Sequence, residues 1–403
     1  YFRDFFMPEQ SVLLARQAIL NRKGHIEAYS ILYPDNKLSD LESSNNLIHS
    51  LITDLDLDIV TNNTKAFIDI SIDVLLKPPA FSLDNYVLFF KAPSPFPISL
   101  IEHIALLHED GYKLGLINAT PDSVPTDIMP YISYIKLNLK EMGIRNTLTL
   151  LDNPFYKEVC LVANQINLSQ HNDAVEQIPK ITLFSGNFHT AKEDIHGKKT
   201  HLYKALVIEF IAKVNESNSH INELASIIEK DATLAYKVIK LTKRAPSYQN
   251  FQVASVQRAL EVIGLRDVMK WFSMAIFNAI DGKPDCLCQM ALTRAIFCQQ
   301  LAKKLYPNET HAFIVGLFSY LPSFFGESIE QLLNDIPLDK NLSLALIQFK
   351  GPLGATLKIV QHYERGQWND LPIKAMAQAG LDTPQMRDMY LDSIKQAKEL
   401  QFI

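Results

Sequence analysis

The order of apolar runs along the first 185 residues constrains the fold more than any other feature of the sequence. Short runs rich in Val, Ile, Leu, Phe and Tyr alternate there with helical or polar stretches, and we expect helices at 38–55, 99–109 and 154–164. Uninterrupted apolar runs suit strands that are covered on both faces, as in a parallel sheet. Strands that alternate with helices predict a (β/α) barrel. The predicted strands are 12–19, 26–32, 66–70, 86–90, 113–118, 134–137, 147–151 and 181–184.

The pattern changes near residue 190. A polar and basic stretch, typical of a linker, is followed by apolar residues every three or four positions, the spacing of amphipathic helices. Ser255 and Gly264 stand where a helix N-cap and the residue that ends the helix belong. The sequence therefore predicts a fold of the class α/β plus all-α. Its predicted parts are a barrel domain over 1–190, a linker over 191–200 and an all-helical domain over 201–403.

Charge and composition exclude several classes of protein. The 39 basic and 44 acidic residues give a net charge of −5, whereas nucleic-acid binders normally carry a basic excess, so we expect no nucleic-acid partner. The most apolar stretch, 312–325, is shorter than the ~20 residues of a membrane span and contains Pro322, so we expect no membrane segment. No signal peptide is visible, and the four cysteines lack a zinc or disulfide framework, which predicts a cytoplasmic protein. The sequence also lacks a glycine-rich phosphate loop and a Gly-x-Ser-x-Gly elbow.

Several segments resemble a family of bacterial signalling proteins. The segment LLARQAILNRKGHIEAYSILYP resembles the start of an EAL domain, the cyclic-di-GMP phosphodiesterase barrel. The segments LYKALVIEFIAKVN, ELASIIEKDATLAYKVIKL and ASVQRALEVIGLRDVMKW resemble an HDOD domain, a helical relative of metal-dependent HD hydrolases. The segments AFIVGLFSYLPSFFG and GPLGATLKIVQHYERGQWNDL resemble the C-terminal part of EAL–HDOD proteins. The resemblance covers nearly the whole chain and implies a degenerate EAL-like barrel followed by an HDOD domain.

The resemblance also indicates which positions of the barrel would carry metal ligands. EAL enzymes hold divalent cations and a catalytic water with carboxylates and an Asn at strand ends, because Mg²⁺ and Mn²⁺ prefer oxygen ligands. The Glu of the Glu-x-Leu motif falls on Ser30, and the Asn of the third strand falls on Asp69. The Glu of the fourth strand falls at or beside Phe89, the paired Asp residues after the fifth strand fall on Ile117 and Asn118, and the Gln-Gly of the eighth strand reads Ser185 and Gly186. The Lys-x-Asp of the sixth strand reads Lys136-Leu137-Asn138, so the Lys matches and the Asp does not.

These replacements predict a barrel without catalysis, metal or cofactor. One carboxylate, Asp69, remains at a ligand position, while Phe89 and Ile117 put hydrocarbon where oxygen is required. Asp69 and Lys136 are candidates for an ion pair in the barrel mouth. The favoured interpretation is that they form a structural pair or are unrelated surface charges. The alternative is that Asp69, Lys136 and Arg16 are remnants of a ligand site.

The helical half leads to the same expectation. HD hydrolases need a His and an adjacent His-Asp pair that converge on a metal ion. The helix that would carry this pair reads Phe318-Ser319-Tyr320-Leu321, and His311 and His362 have no His or Asp partner at helical spacing. We therefore expect a metal-free, non-catalytic helical domain.

Three functional hypotheses follow. The first is an inactive signal-transduction or scaffold protein that contacts other signalling proteins. By resemblance, it would act in cyclic-di-GMP networks that regulate biofilm or motility, with a homodimer through residues 119–145. The second is a cyclic-di-GMP receptor that binds without cleaving and uses Arg16 and Lys136 for phosphate. The third is a residual cyclic-di-GMP phosphodiesterase, in which Asp69 would be essential.

Overall fold

The computed structural model contains two compact units. Residues 1–189 and 361–391 form the barrel unit, and residues 190–360 and 392–403 form the helical unit. The structure describes residues 13–34, 60–78, 85–139, 144–166, 178–186, 220–230, 255–264, 285–309, 311–325, 327–334 and 338–401, with a few single positions between 206 and 239. The helix predicted at 38–55 lies outside the described residues.

Eight strands close into a barrel in sequence order. The strand β1 is antiparallel to both of its neighbours, β2 and β8, and the remaining neighbouring strands are parallel. The strands are β1 Ala15–Asn21, β2 Ile26–Leu32, β3 Lys65–Ile70, β4 Tyr86–Lys91, β5 Lys113–Ile117, β6 Ile132–Asn138, β7 Cys160–Ile166 and β8 Ile181–Gly186. The predicted barrel is confirmed.

A tight hairpin joins β1 to β2. The Asn21 side-chain oxygen accepts hydrogen bonds from the backbone N–H groups of Lys23 (2.9 Å) and His25 (3.0 Å). Gly24 has φ 79°, a left-handed conformation that glycine adopts without a steric penalty. Because an antiparallel pair needs only this short turn, no helix separates β1 from β2, whereas a parallel pair needs a longer crossover.

The barrel interior is a packed apolar core. Side chains alternate between the two faces of each strand, so every second residue points inward. The core residues are Ile19, Ala28, Phe67, Val87, Phe89, Val162 and Leu183, with Ile117, Tyr134 and Cys160 packed against them.

Two assignments between β6 and β8 are wrong. The predicted strand at 147–151 belongs to a helix, Ile144–Leu151, and the predicted helix at 154–164 contains the start of β7. Burial gives the physical reason, because Thr147 and Leu151 are buried while Thr149 is exposed. Positions four apart share one face of a helix, whereas a strand would bring all three residues to the same face.

Short helices cover the barrel strands. Among the described residues, the helices that lie wholly in the barrel unit are α1 Ile72–Leu76, α2 Ile98–Glu109, α3 Ile144–Leu151 and α12 Ile373–Gln378, with 3₁₀ turns at Thr126–Tyr131, Pro154–Tyr156 and Trp368–Asp370. The expected helix at 99–109 is confirmed.

The described part of the helical unit contains helices and no strands, as predicted. Ser255 caps one of them, since its side-chain oxygen accepts a hydrogen bond from the Arg258 backbone N–H at 3.2 Å, and Gly264 ends that helix with φ 81°. The helices are α4 Ile221–Ile228, α5 Val256–Ile263, α6 Asp285–Leu305, α7 Ala312–Phe318, α8 Leu321–Phe325, α9 Ile329–Asn334 and α10 Lys340–Gln348. Two more, α11 Gly351–Glu364 and α13 Thr383–Gln401, have residues in both units.

Residues 361–391 belong to the barrel unit, although the sequence assigned them to the helical domain. Tyr363 and Tyr390 are buried, with ring centroids 5.0 Å apart, and the Tyr390 hydroxyl accepts a hydrogen bond from the Arg16 backbone N–H at 3.3 Å. This segment therefore packs beside β1. Among the described helices, none is both long enough and apolar enough to cross a bilayer.

Candidate ligand site at the barrel mouth

The motif positions lie on one face of neighbouring strands. In the register of the sheet, Asp69 is paired with Phe89, Phe89 with Gly115, and Ile117 with Lys136. Because register partners in a parallel sheet point to the same side, and Phe89 lies in the core, these side chains all face the barrel interior. Asp69, Ile117 and Lys136 lie toward the carboxyl ends of their strands, where (β/α) barrels carry their functional groups.

Lys136 forms the central contacts of this mouth. Its ammonium pairs with the Asp69 carboxylate, so of the two interpretations favoured from the sequence the ion pair is the one formed. The Lys136 side chain is 3% exposed and the Asp69 side chain 48% exposed, so the pair reaches from the core to solvent. The Lys136 Nζ also lies 4.1 Å from the centre of the Phe89 ring, a cation–π contact. The role of the pair as a ligand remnant stays a prediction.

Phe89 fills the space beneath this pair. Its ring is fully buried and lies 4.9 Å from the Phe67 ring and 6.2 Å from the Tyr134 ring, measured between centroids. Gly115 faces the ring, and a Cβ atom at that position would overlap it. The fourth-strand position therefore holds a hydrocarbon ring that is packed on several sides.

The amide side chains at the mouth are engaged with the chain itself. Asn118 adopts φ 50°, and its side-chain oxygen accepts a hydrogen bond from the Asn138 backbone N–H at 2.9 Å. Its own backbone N–H donates to the Lys136 carbonyl at 2.8 Å. Asn118 thus continues the β5–β6 ladder beyond the last residue of β5. At the eighth strand, the Ser185 hydroxyl donates to the Gln17 side-chain oxygen at 3.1 Å.

Arg16 lies apart from this group. Gln17 is the register partner of Ser30 and faces inward, so alternation along the strand turns Arg16 to the outer face of the barrel. Its guanidinium lies 4.2 Å from the centre of the Tyr29 ring and donates a hydrogen bond to the Val60 carbonyl. The structure therefore brings Asp69 and Lys136 together but does not bring Arg16 to them.

The donor set does not fit a pair of divalent cations. Within the described part of the chain, no three His, Cys, Asp or Glu residues lie close enough together to hold a metal ion. At the mouth, Phe89 and Ile117 offer no oxygen, and the Asp69 carboxylate already faces an ammonium. Oxygen-rich coordination of Mg²⁺ or Mn²⁺ cannot be built from these side chains.

In the helical unit, Ser319 and Tyr320 lie in the segment where the resemblance would place the His-Asp pair of HD hydrolases, and both carry hydroxyl groups. Ser319 Oγ and the Tyr320 hydroxyl accept hydrogen bonds from the Arg294 guanidinium at 3.0 and 3.1 Å. His311 is the N-cap residue of α7 but makes no side-chain cap bond. His362 belongs to the barrel unit, where its Nδ1 lies 2.9 Å from the Gln367 side-chain oxygen.

Sequence reasoning missed several members of these sites. Tyr134 stands two positions before Lys136 on β6, so the alternation of a strand could have placed its ring on the inward face. Gly115 likewise stands two positions before Ile117 on β5, so the same alternation could have placed it on the inward face. Arg294 carries no comparable signal, because a helix period alone does not tell which face is buried.

Comparison with known proteins adds the following findings. The HDOD domain family matches residues 202–326. The chain is 22% identical over 408 residues to the uncharacterized protein YuxH of Bacillus subtilis, and the aligned region covers 95% of this chain and 97% of YuxH. It is 22% identical over 407 residues to the cyclic di-GMP phosphodiesterase CdgJ of Vibrio cholerae, and the aligned region covers 96% of this chain and 92% of CdgJ.

One solved structure that is similar to this chain is that of the Bacillus subtilis YkuI protein, which has an EAL domain. That structure was determined in complex with substrate c-di-GMP and calcium. It is 14% identical, covers 63% of this chain and 73% of YkuI, and has a TM-score of 0.36. The predicted HDOD domain is confirmed by the family match. The chain therefore joins a closed eight-stranded barrel to an HDOD domain at residues 202–326.

Proposed function

We propose that this chain is a signal-transduction protein of cyclic-di-GMP networks that does not hydrolyse the dinucleotide and acts through contacts with other signalling proteins. Similarity to CdgJ over 96% of the chain supports the link to this signalling system. The HDOD domain supports a two-domain signalling architecture. The composition of the barrel mouth supports the absence of hydrolysis.

The observation that carries the proposal is the Phe89–Lys136–Asp69 arrangement. Metal-assisted hydrolysis needs a cation that lowers the pKa of a bound water and oxygen ligands that hold the cation in place. In the barrel mouth, one ligand position is a buried ring and the remaining carboxylate is paired with an ammonium. Asn118 Oδ1 is engaged with the backbone of the next strand. Without a cation and an activated water, the phosphodiester bond is not cleaved.

Incubation of the full chain with cyclic-di-GMP and Mn²⁺, followed by chromatography of the products, tests this part of the proposal. We expect no product above a blank without protein, while the phosphodiesterase CdgJ, assayed in parallel, serves as the positive control. Turnover that is abolished by Asp69→Ala would show that the barrel is an enzyme and would overturn the proposal.

The receptor hypothesis has less support from the geometry. Phosphate recognition requires Arg or Lys side chains that converge on one place. Arg16 contacts Tyr29 and Val60 on the outer face, and Lys136 is paired with Asp69 inside the mouth. Calorimetric titration with cyclic-di-GMP separates the hypotheses. We expect no heat of binding at high concentration, whereas micromolar or tighter binding would favour the receptor.

A genetic experiment addresses the role in signalling. If contacts rather than hydrolysis transmit the signal, a double variant Asp69→Asn with Lys136→Met, which removes the carboxylate without leaving its buried ammonium unpaired, should restore the motility and biofilm phenotypes of a deletion strain as well as the unchanged chain does. Failure of this variant, at an equal protein level, would contradict a role without catalysis. We also propose a homodimer through residues 119–145, which sedimentation of the full chain would detect as a doubled mass.

A further inference from the structure

Two lysine side chains enter the barrel at the end opposite to the mouth. Lys65 is the first residue of β3, and Lys113 is the first residue of β5. In the sheet register, Lys65 is paired with Ala28 and Lys113 with Val87, and both partners lie in the barrel core. Because register partners in a parallel sheet point to the same side, both lysine side chains point into the barrel.

Hydroxyl and thiol groups lie at the same end of the barrel. The Lys65 ammonium donates a hydrogen bond to the Tyr134 hydroxyl at 3.3 Å and lies 6.0 Å from the centre of the Tyr134 ring. Cys160 is the register partner of Tyr134 on the next strand, and its Sγ atom lies 3.2 Å from Thr182 Oγ1. We call Lys65, Lys113, Tyr134, Cys160 and Thr182 the amino-end layer.

The amino-end layer is accessible to solvent. Its inward-facing side chains are partly exposed, namely those of Lys65, Lys113, Tyr134 and Cys160, and Thr182 is exposed. Further along β3 and β4, Phe67 and Phe89 are fully buried. A small ion can therefore reach the amines and hydroxyls from the amino end, while the aromatic rings separate it from the mouth.

We propose that the amino end of the barrel binds a phosphate group through the ammonium groups of Lys65 and Lys113 and the Tyr134 hydroxyl. The ligand is inorganic phosphate or the phosphate group of a small ester, because both present the same negatively charged oxygens. The inference goes beyond the proposed function, since this site lies at the other end of the strands from Asp69 and Lys136.

The free donors of the layer match the oxygens of a phosphate. Within the described part of the chain, no carboxylate pairs with Lys65, whose ammonium has three donors and gives one to Tyr134. The Tyr134 hydroxyl accepts that bond, so its own proton can be donated to a ligand oxygen. Bonds from ammonium groups to phosphate are charge-assisted and are among the strong hydrogen bonds of proteins.

The strand order brings the second ammonium to the same place. One strand, β4, separates β3 from β5 in the closed barrel. Neighbouring strands lie about 4.8 Å apart, so the strands of Lys65 and Lys113 are about 10 Å apart. Two long side chains that point inward across this distance can converge on one phosphate.

An acidic side chain at the same end opposes the anion. Burial raises the pKa of the Cys160 thiol, and the Glu27 carboxylate adds to this effect while the Lys65 ammonium acts against it. Glu27 accepts a hydrogen bond from Asn21 Nδ2 at 2.7 Å. Because like charges repel, we expect Glu27 to weaken phosphate binding without cancelling the charge of two ammonium groups.

Thermal unfolding of the full chain with sodium phosphate tests the proposal. Phosphate is raised through the millimolar range, with NaCl lowered to keep the ionic strength constant. We expect an unfolding temperature that rises and then saturates, because a ligand of the folded state stabilises it by mass action. A parallel titration with glycerol phosphate distinguishes an ester from the free ion by the lower half-saturating concentration. The absence of a saturating rise with both compounds would overturn the proposal.

Lysine variants locate the site. We expect Lys65→Met and Lys113→Met each to raise the half-saturating phosphate concentration at least about tenfold, since each removes a charge-assisted hydrogen bond. The matched control is Lys91→Met, because Lys91 is exposed and ends β4 at the mouth. It should leave the half-saturating concentration unchanged. A loss with Lys91→Met as large as with Lys65→Met, or no loss with Lys65→Met, would contradict a site at the amino end.

Two further variants test the details of the site and preserve the shape of the side chains. Tyr134→Phe removes the hydroxyl and keeps the ring, so it should weaken phosphate binding while leaving the unfolding temperature without phosphate close to that of the unchanged chain. Glu27→Gln removes the opposing charge and should strengthen binding. Weaker binding by Glu27→Gln, or unchanged binding by Tyr134→Phe, would contradict the proposed contacts.

The outcomes for this site and for the proposed function are separate. Turnover of cyclic-di-GMP would overturn the proposed function and leave a saturating effect of phosphate at Lys65 intact. A chain that neither hydrolyses cyclic-di-GMP nor responds to phosphate would overturn the amino-end site alone.

Discussion

At the scale of single residues, the contacts of the Phe89 ring organise the barrel mouth. The ring packs against Phe67, carries the Lys136 ammonium on one face and lies against the backbone of Gly115. An apolar ring buried at this depth contributes about 1.5–3 kcal/mol by removal of its surface from water. Gly115 is required because a larger residue would compete with the ring for the same space.

We predict that Gly115→Ala destabilises the barrel unit by about 1–3 kcal/mol, the range for overpacking of a filled core. The added methyl group would overlap the Phe89 ring, which Phe67 and Tyr134 hold from other sides. In a Phe89→Leu background the same change should cost less, since the smaller side chain leaves room. Denaturant unfolding measures both values, and an equal cost in the two backgrounds would contradict the explanation.

We predict a loss of stability in alkali that depends on Tyr390. Burial raises the pKa of Tyr390 to about 12, from about 10 in an unfolded chain. The folded state therefore keeps a proton that the unfolded state loses, so this contribution is complete below pH 10 and disappears as the pH rises to 12. Tyr390→Phe should make stability less dependent on pH in this interval. It should also remove the hydrogen bond from the Arg16 backbone N–H, at a cost of about 1 kcal/mol.

Urea unfolding between pH 8 and 11.5 measures this effect. Other buried tyrosines contribute to the alkaline transition, since burial also raises the pKa of Tyr363 and raises that of Tyr156 to about 12. The expected result is therefore a shallower dependence on pH and not its disappearance. Equal slopes for the variant and the unchanged chain would argue against burial of the Tyr390 phenol.

The candidate site was predictable from the sequence in part. The motif positions on two strands made Asp69 and Lys136 candidates for a pair, and the structure forms that pair. The direction of Arg16 did not follow, because it depends on the register of β1 with β2, and a shift by one residue exchanges the two faces of a strand. Asn118 was placed correctly after β5, but its bond to Asn138 depends on φ 50°, which the sequence does not specify.

At the scale of elements, strand prediction succeeded where apolar runs were unbroken. The run at 26–32 coincides with β2, and the run at 86–90 lies within β4. The predictions around β7 failed because a short segment rich in Leu and Thr fits both the period of a helix and the period of a strand. The segment Ile144–Leu151 lies between two parallel strands, where a crossover connection is required, and forms a helix.

We predict that Gly316→Ala weakens the packing of α6 on α7. A Cβ atom at Gly316 would lie 2.7 Å from the Ala295 Cα atom and 2.9 Å from the Arg294 carbonyl oxygen. Backbone atoms cannot move aside as a flexible side chain can, so the two helices must separate. We expect a loss of about 1–3 kcal/mol in the stability of the helical unit. Calorimetric unfolding measures it, and an unchanged transition would contradict the close approach of the two helices.

At the scale of the whole molecule, the barrel unit is assembled from two distant parts of the sequence. The β1–β2 hairpin has no connecting helix, yet the outward residues Ala18, Leu20, Tyr29 and Ile31 are buried. Residues 361–391 lie in the same unit, and Tyr390 bonds to Arg16 on β1. Gly366 would place a Cβ atom 3.3 Å from a Leu32 methyl carbon at the end of β2. The C-terminal segment thus supplies cover that the hairpin does not supply itself.

We predict that a chain ending at residue 190 lacks a cooperative unfolding transition, because it would expose apolar surface along β1 and β2. A chain that joins 1–190 to 361–391 through a flexible linker should regain that transition. Circular dichroism during heating compares the two proteins. A stable, cooperative fragment 1–190 would show that the C-terminal segment is dispensable for the barrel.

The divided barrel unit also bears on the order of events at the ribosome. Residue 361 is made 172 residues after residue 189, which at roughly 5–20 residues per second is a delay of roughly ten to thirty seconds. The strands of the nascent barrel must wait through this interval with part of their outer surface uncovered. Chaperones that shield nascent chains, and the codons that set the pace between the two parts, therefore become determinants of how much of this protein reaches its folded form.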